Sequence, residues 1–206
     1  TGYQDIAFEI GPHSAQKLRE LSLRAAQTIH SLKAFNDKYF NETFEMEAIP
    51  FFYGVEDAEF LKKISEYKIH FWGVDQEFYY AAHFLNDELL KLASGKPAYG
   101  QVKSNKQLLD QRINYWFEKA ENSTEEIDVF AELLKERSLQ DFFAVFDEKD
   151  VKAKSIIHDL KLSWDIYSRW RNGSHADRVS YMRNQFMDNY EHATTSRKNP
   201  KVFVKV

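Results

Sequence analysis

The sequence predicts an α/β fold: a mostly parallel sheet with crossover helices and a large helical insertion. Three observations carry that reading. Short apolar runs at residues 3–10, 69–75 and 201–206 read as strands, separated by stretches of helical period. Strands that alternate with helices are joined by crossovers, which makes neighbouring strands parallel. From about 105 to 171 the helical period is nearly continuous and no strand appears. The expected organisation is an α/β core at 1–94 and 161–206, with the insertion at 95–160, as one domain with a subdomain.

The first strand, 3–10, holds Ile6, Ala7, Phe8 and Ile10 around a single carboxylate, Glu9. Gly11-Pro12 breaks it, and Ser14 is the expected cap of a helix over 14–40, where Leu18, Leu21, Ala25, Ile29 and Leu32 recur at helical spacing. Residues 41–56 read as an aromatic-packing loop, interrupted by Pro50 and Gly54. Asp57 is the expected cap of a helix bearing Phe60, Leu61 and Ile64. The strand 69–75 follows, and then a helix over about 77–93 with Phe78, Ala81, Ala82, Leu85 and Leu89 inward. Ser94 to Asn105 reads as a linker, because Gly95, Pro97 and Gly100 punctuate it. Asn105 and Ser123 are expected caps, the latter within a Ser123–Glu126 capping box. Asn172-Gly173-Ser174 ends a long helix, and a last helix over 175–193 leads into the strand 201–206.

Composition excludes several classes. With 43% hydrophobic residues in 206, including 17 Phe and 11 Tyr, the chain buries a substantial core and is not mainly disordered. Seven Gly and four Pro argue against turn-rich sandwiches and barrels. The absence of Cys removes thiol nucleophiles, disulfides and Cys-ligated metal sites. A net charge of −4, with Lys and Arg interleaved among Asp and Glu, gives no nucleic-acid footprint. No apolar run is long enough for a membrane span. A chain that opens on Thr1 and closes inside an apolar run reads as cut at both ends. The compartment therefore stays open between cytoplasmic and periplasmic or secreted. The oligomeric state is open as well.

Several chemistries lack their motifs. There is no Gly-x-Ser-x-Gly elbow, no phosphate-cradling Gly-rich loop, no dinucleotide fingerprint and no His-Glu-x-x-His helix. The sequons at Asn41, Asn122 and Asn172 are short patterns that recur by chance.

Topology selects the candidates that remain. In an open parallel sheet, ligands bind beyond the carboxyl ends of the strands, where the crossover helices also begin. Glu9 and His13 bracket the end of the first strand. Asp75, Gln76 and Glu77 follow the second, and His175, Asp177 and Arg178 open the last helix. A carboxylate inside an apolar run is costly to bury without a partner. Glu9 therefore either faces outward or caps the next helix, or else serves as a base or a metal ligand. Asp75 caps the following helix or orients a catalytic neighbour. Arg178 tops an apolar stripe of Met182, Phe186 and Tyr190. It snorkels there, pairs with Glu9, or clamps a substrate oxyanion. The candidate catalytic residues are thus Glu9, Arg178 and Asp75, and the candidate substrate contacts are His13, Gln76, Glu77 and His175. The aromatics Tyr115, Trp116, Phe117, Phe142, Phe143 and Phe146 of the insertion pack its core or cover an apolar ligand.

Three pieces carry a family resemblance: Ile6-Ala-Phe-Glu9, Trp72-Gly-Val-Asp-Gln76, and Arg178-Val-Ser-Tyr-Met182 leading to Val202-Phe-Val-Lys-Val206. Together they resemble the erythromycin esterase-like branch of a superfamily that also holds the haem-binding ChaN proteins and the TraB/Tiki proteins. The resemblance implies an α/β core with a helical insertion. It also implies bacterial hydrolase chemistry on a small-molecule ester or related bond, with water activated by His and carboxylate groups. Glu9 resembles the family's active-site glutamate, and Arg178 and Met182 resemble the Arg and Met of its late helix. Asp75 resembles a recurring strand-end aspartate. The family's two histidine motifs would fall before Thr1 and after Val206, so an incomplete catalytic unit is expected. The same resemblance allows a haem- or metal-binding protein, with His13 or Tyr79 as axial ligand, or a metal-dependent peptidase. No visible motif requires a cofactor.

Overall fold

The computed structural model describes residues 2–171, 173 and 175–205. The chain forms two compact units, Thr1–Ala81 with Ala176–Val206, and Ala82–His175. The first is a sheet unit and the second is helical. The architecture is α/β with a helical insertion.

In the sheet unit, β1 (Asp5–Phe8), β2 (His70–Gly73) and β3 (Val202–Lys205) lie in the order β2-β1-β3, and both pairings are parallel. Asp5 faces His70 and Val202 across the ladder, and Phe8 faces Gly73 and Lys205. All four residues of β1 are buried, as a strand with a neighbour on each side and helices over its faces requires. Alternation sends Ala7, Trp72 and Val74 to one face. There they pack with Ala193, Phe186 and Tyr190 of α9 (Ala176–Thr194). Phe8 turns to the other face, edge-on to Phe52 and Phe71. The pairing runs past the formal strand ends: Val74 N–H donates to Phe8 O at 3.1 Å, and Asp75 N–H to Ile10 O at 3.1 Å. This extension lays residues 9–11 beside 74–77 at the carboxyl rim.

The helix expected over 14–40 is two helices, α1 (Pro12–Leu21) and α2 (Thr28–Tyr39), with a 3-10 turn at Ala25–Gln27 between them. The break has a local cause. The Ser22 hydroxyl donates to Arg19 O at 3.0 Å, a bond that competes with continued helix, and Leu23 is left exposed. Buried Leu18 and Leu32 are fourteen residues apart, four helical turns, so their phase survives the break and conceals it in the sequence.

Other boundaries also move. Gly11 rather than Ser14 caps α1, with Pro12 as the first helical residue, where a missing N–H costs nothing. Gly54 caps α3 (Val55–Ser65), and Asp57 lies inside its first turn beside Glu56, favourable to the helix dipole. The helix expected at 77 begins only at Ala81, as α4 (Ala81–Leu92), because Glu77 is tied to the start of α1. α9 and β3 start one residue later than expected.

The helical unit continues with α5 (Tyr99–Asn122), α6 (Val129–Lys135), α7 (Arg137–Phe143) and α8 (Val151–Arg171). The expected linker is half helix, since α5 already runs from Tyr99, and Asn105 sits within it rather than capping it. Ser123 closes α5; its hydroxyl accepts from Glu125 N–H at 3.0 Å in a turn, not in a capping box. α6 is capped instead by Asp128, which accepts from Ala131 N–H at 3.0 Å. Phe142, Phe143 and Phe146 are buried with Leu109, Leu133, Leu160 and Trp164, so they are core. Trp116 donates to Glu136 at 2.6 Å, while Tyr115 is exposed. Gly173, after α8, takes a left-handed φ of 86°; Asn172 and Ser174 of the expected stop signal lie outside the described residues.

Candidate functional site

At the carboxyl rim of the sheet unit, one guanidinium bridges two acidic side chains. Arg178, in the first turn of α9, donates Nη2–H to Glu9 Oε1 at 2.8 Å. Its Nε–H reaches Asp75 Oδ1 at 3.1 Å and Oδ2 at 3.2 Å, and Nη2 also bonds Asp75 Oδ2. The fork is bidentate toward Asp75 and monodentate toward Glu9, the geometry that distinguishes Arg from Lys. The Asp75 side chain is 8% exposed, against 25% for Glu9 and 31% for Arg178. Asp75 is thus the buried anchor, and Glu9 and Arg178 form the open side.

Each position follows from the fold. Glu9 is the first residue past β1, and its N–H donates to Lys205 O at 3.3 Å, which fixes it beside β3. Asp75 sits where the β2 extension ends, and its Oδ1 accepts Gln76 N–H at 2.8 Å. The helix expected to follow Asp75 starts six residues later, so that carboxylate serves Arg178 and its own turn rather than a helix cap. Arg178 is paired, not snorkelling, although Phe186 and Tyr190 of its stripe do pack on the sheet.

The other candidates separate. Gln76 and Glu77 are buried, at 3% and 0% exposure. The Gln76 side-chain oxygen has no hydrogen-bond partner among the described residues. Glu77 Oε1 accepts the backbone N–H groups of His13 at 2.6 Å and Ser14 at 3.3 Å, and Oε2 accepts the Ser14 hydroxyl at 2.6 Å. His13 is half-buried in the first turn of α1. His175 is exposed in the helical unit, where its Nε2 accepts from Trp170 Nε1–H at 3.2 Å. His70 is exposed at the start of edge strand β2. Tyr79 is in ring contact with Phe78 and Tyr80.

Two features escaped the sequence reading. The first is the joint between Glu77 and the start of α1; its signal was a pair of glycines beside strand ends. A Cβ on Gly11 would lie 2.2 Å from Glu77 Cδ, and one on Gly73 would lie 2.2 Å from Gly11 O, so neither position has room for a side chain. The second is Asp5 at the opposite end of β1. It is fully buried and takes a two-pronged bond from Arg197, whose Nη2–H meets Oδ1 at 2.9 Å. Nothing in the polar tail around Arg197 distinguished it from solvated charge.

Burial pushes the Glu77 carboxyl above its ordinary value, and the nearby His13 charge and the Ser14 hydroxyl only partly oppose that. For an acid whose folded pKa is raised, the associated stability is present below the unfolded value and is lost as pH rises through the folded value. An amide cannot ionise and can still accept both N–H groups. Glu77→Gln should therefore melt progressively higher than the parent as pH is taken from 4 to 8. Thermal unfolding by circular dichroism across that range measures the difference, and a difference that shrinks with rising pH contradicts the assignment.

Among the described residues, no group of three His, Asp or Glu side chains is arranged to hold a metal ion. No described helix is long and apolar enough to cross a membrane. No protein-family model matches the sequence, and no curated protein matches it either. Among solved structures, the chain is similar to a histidine variant of the erythromycin esterase EreC in its open conformation. The TM-score is 0.51 at 15% identity, over 98% of this chain and 52% of that one. The chain has an erythromycin esterase-like fold and spans about half the length of that relative.

Proposed function

We propose that the carboxyl rim of the sheet unit is a hydrolytic site for an ester or related bond in a small molecule. The observation that carries this reading is the Glu9–Arg178–Asp75 bridge at the rim of a parallel sheet, open on its Glu9 side. In this reading Glu9 takes a proton from water as its oxygen attacks the acyl carbon. The Arg178 charge offsets the negative charge that develops on the carbonyl oxygen. Collapse of the tetrahedral intermediate expels the alcohol, which receives the proton. Asp75 touches neither water nor substrate and keeps Arg178 in orientation. His13 is the rim histidine assigned to substrate.

The fold of the erythromycin esterase relative supports the scaffold part of this reading, and the bridge supports the chemistry. The test is turnover of p-nitrophenyl acetate and of a panel of small esters. Glu9→Gln keeps the size and a hydrogen-bonding capacity but cannot accept the proton. It should lose roughly 100-fold in kcat with its circular dichroism spectrum and melting unchanged in form. Parent-like turnover in that variant removes Glu9 from the mechanism.

A further inference from the structure

We propose that Glu77 is a positioning residue: by gripping the first turn of α1, it locks together the two strand-end extensions, 9–13 and 75–77, that carry Glu9 and Asp75. This rests on the reading of the rim as a site and deepens it by naming what holds the bridge in register.

Glu77 is wholly buried, and its carboxylate accepts from the His13 and Ser14 N–H groups and the Ser14 hydroxyl at the start of α1. The first turn of any helix leaves backbone N–H groups unsatisfied and favours a negative charge. These groups are usually met by a residue at the cap itself. Here Gly11 at the cap has no side chain, and the acceptor arrives from 63 residues away. Both glycines at the joint are needed to seat it: Gly11 leaves room for the carboxyl, and Gly73 lets the start of α1 rest on β2.

The arrangement is a suture across two chain segments. Glu9 lies two residues before Gly11, and Asp75 two residues before Glu77. The bond from Asp75 N–H to Ile10 O ties the same segments between those points. Arg178 has to find both carboxylates at once, with distances fixed to a few tenths of an ångström. Such a constellation depends on the groups that hold its supporting backbone. A residue present only for stability would be a poor choice, since burial works against its ionised form.

The readout is hydrogen exchange of the Arg178 side-chain Nε–H, followed by NMR on this 206-residue chain, because it reports the bridge without any turnover. Glu77→Ala removes the bonds to His13 and Ser14, and Glu77→Gln keeps the two to their backbone N–H groups. In folded protein, Glu77→Ala should exchange this proton about ten-fold faster than the parent, with Glu77→Gln within two-fold of it, roughly. If Glu77→Ala does not fold, Ser14→Ala replaces it and should raise the rate about two- to three-fold. Parent-like protection in folded Glu77→Ala, or in Ser14→Ala where that variant stands in, overturns the proposal. So does a Glu77→Gln rate as fast as that of the alanine variant. An enzyme that turns over no ester while the exchange follows this pattern defeats the hydrolase reading and leaves the positioning role standing.

Discussion

Arg178→Leu is expected to abolish the rim chemistry and to weaken the sheet unit at the same time. The substitution leaves Asp75, nearly buried, without its partner, and leaves Glu9 beside it. Removing one member of a buried pair costs about 3–5 kcal/mol. The Arg178 side chain keeps about a third of its exposure, so water recovers part of that loss and about 2–3 kcal/mol is expected. For a chain of this length that is roughly 4–12 °C in melting temperature. On turnover, loss of the positive group facing the developing oxyanion should cost about 100- to 1,000-fold in kcat. Arg178→Lys restores charge but not the fork that reaches Asp75 through two nitrogens, so it should recover stability more than activity. Urea unfolding and ester turnover, measured on the same preparations, check both halves. A leucine variant as stable as the parent would mean that the bridge carries no weight in solution.

Asp5→Ala should give the opposite separation, a large loss of stability with the rim untouched. Asp5 is fully buried at the amino end of β1, and Arg197 reaches it with two nitrogens from the turn after α9. The pair pins the chain just before β3 to the strand with which β3 pairs. Deleting the carboxylate strands a guanidinium whose hydrogen bond to Asp5 raises its pKa further. The remaining Arg197 guanidinium is about a quarter exposed and can turn to water, so the expected cost is about 2 kcal/mol, read as a lower urea midpoint with unchanged slope. Since Asp5 and Glu9 lie at opposite ends of one short strand, kcat per folded molecule should stay within about two-fold of the parent. The contrast with Arg178→Leu separates the structural rim from the chemical one.

The strands were legible because each reads as a short, mostly apolar run bounded by polar residues, which holds even for β3, whose Phe203 and Val204 are exposed. Glu9 stood out for the same reason, as an ionisable group beside such a run. Arg178 stood out because a cation headed an apolar helical stripe. What failed was local: Ser14, Asp57 and Ser123 each have good capping chemistry, and each was outcompeted. Ser14 turned to Glu77, Asp57 fell within the first turn of α3, and Ser123 closed a helix instead of opening one. Periodicity carried the inferred helix backward from Ala81 to Glu77 because it cannot see that Glu77 is held by a turn sixty residues earlier. The joint at Gly11 and Gly73, and the Asp5–Arg197 pair, are contacts between distant segments. No window of sequence contains both halves of either one.

Whether Arg178 grips Asp75, the buried anchor of the bridge, in solution is measured directly by a double-mutant cycle between Arg178→Leu and Asp75→Asn. Urea unfolding of the parent, the two single variants and the double variant gives the coupling energy. A bidentate pair with a nearly buried carboxylate should couple by about 1.5–3 kcal/mol. A coupling below about 0.3 kcal/mol, the size expected of independent sites, would contradict the bridge and the site built on it.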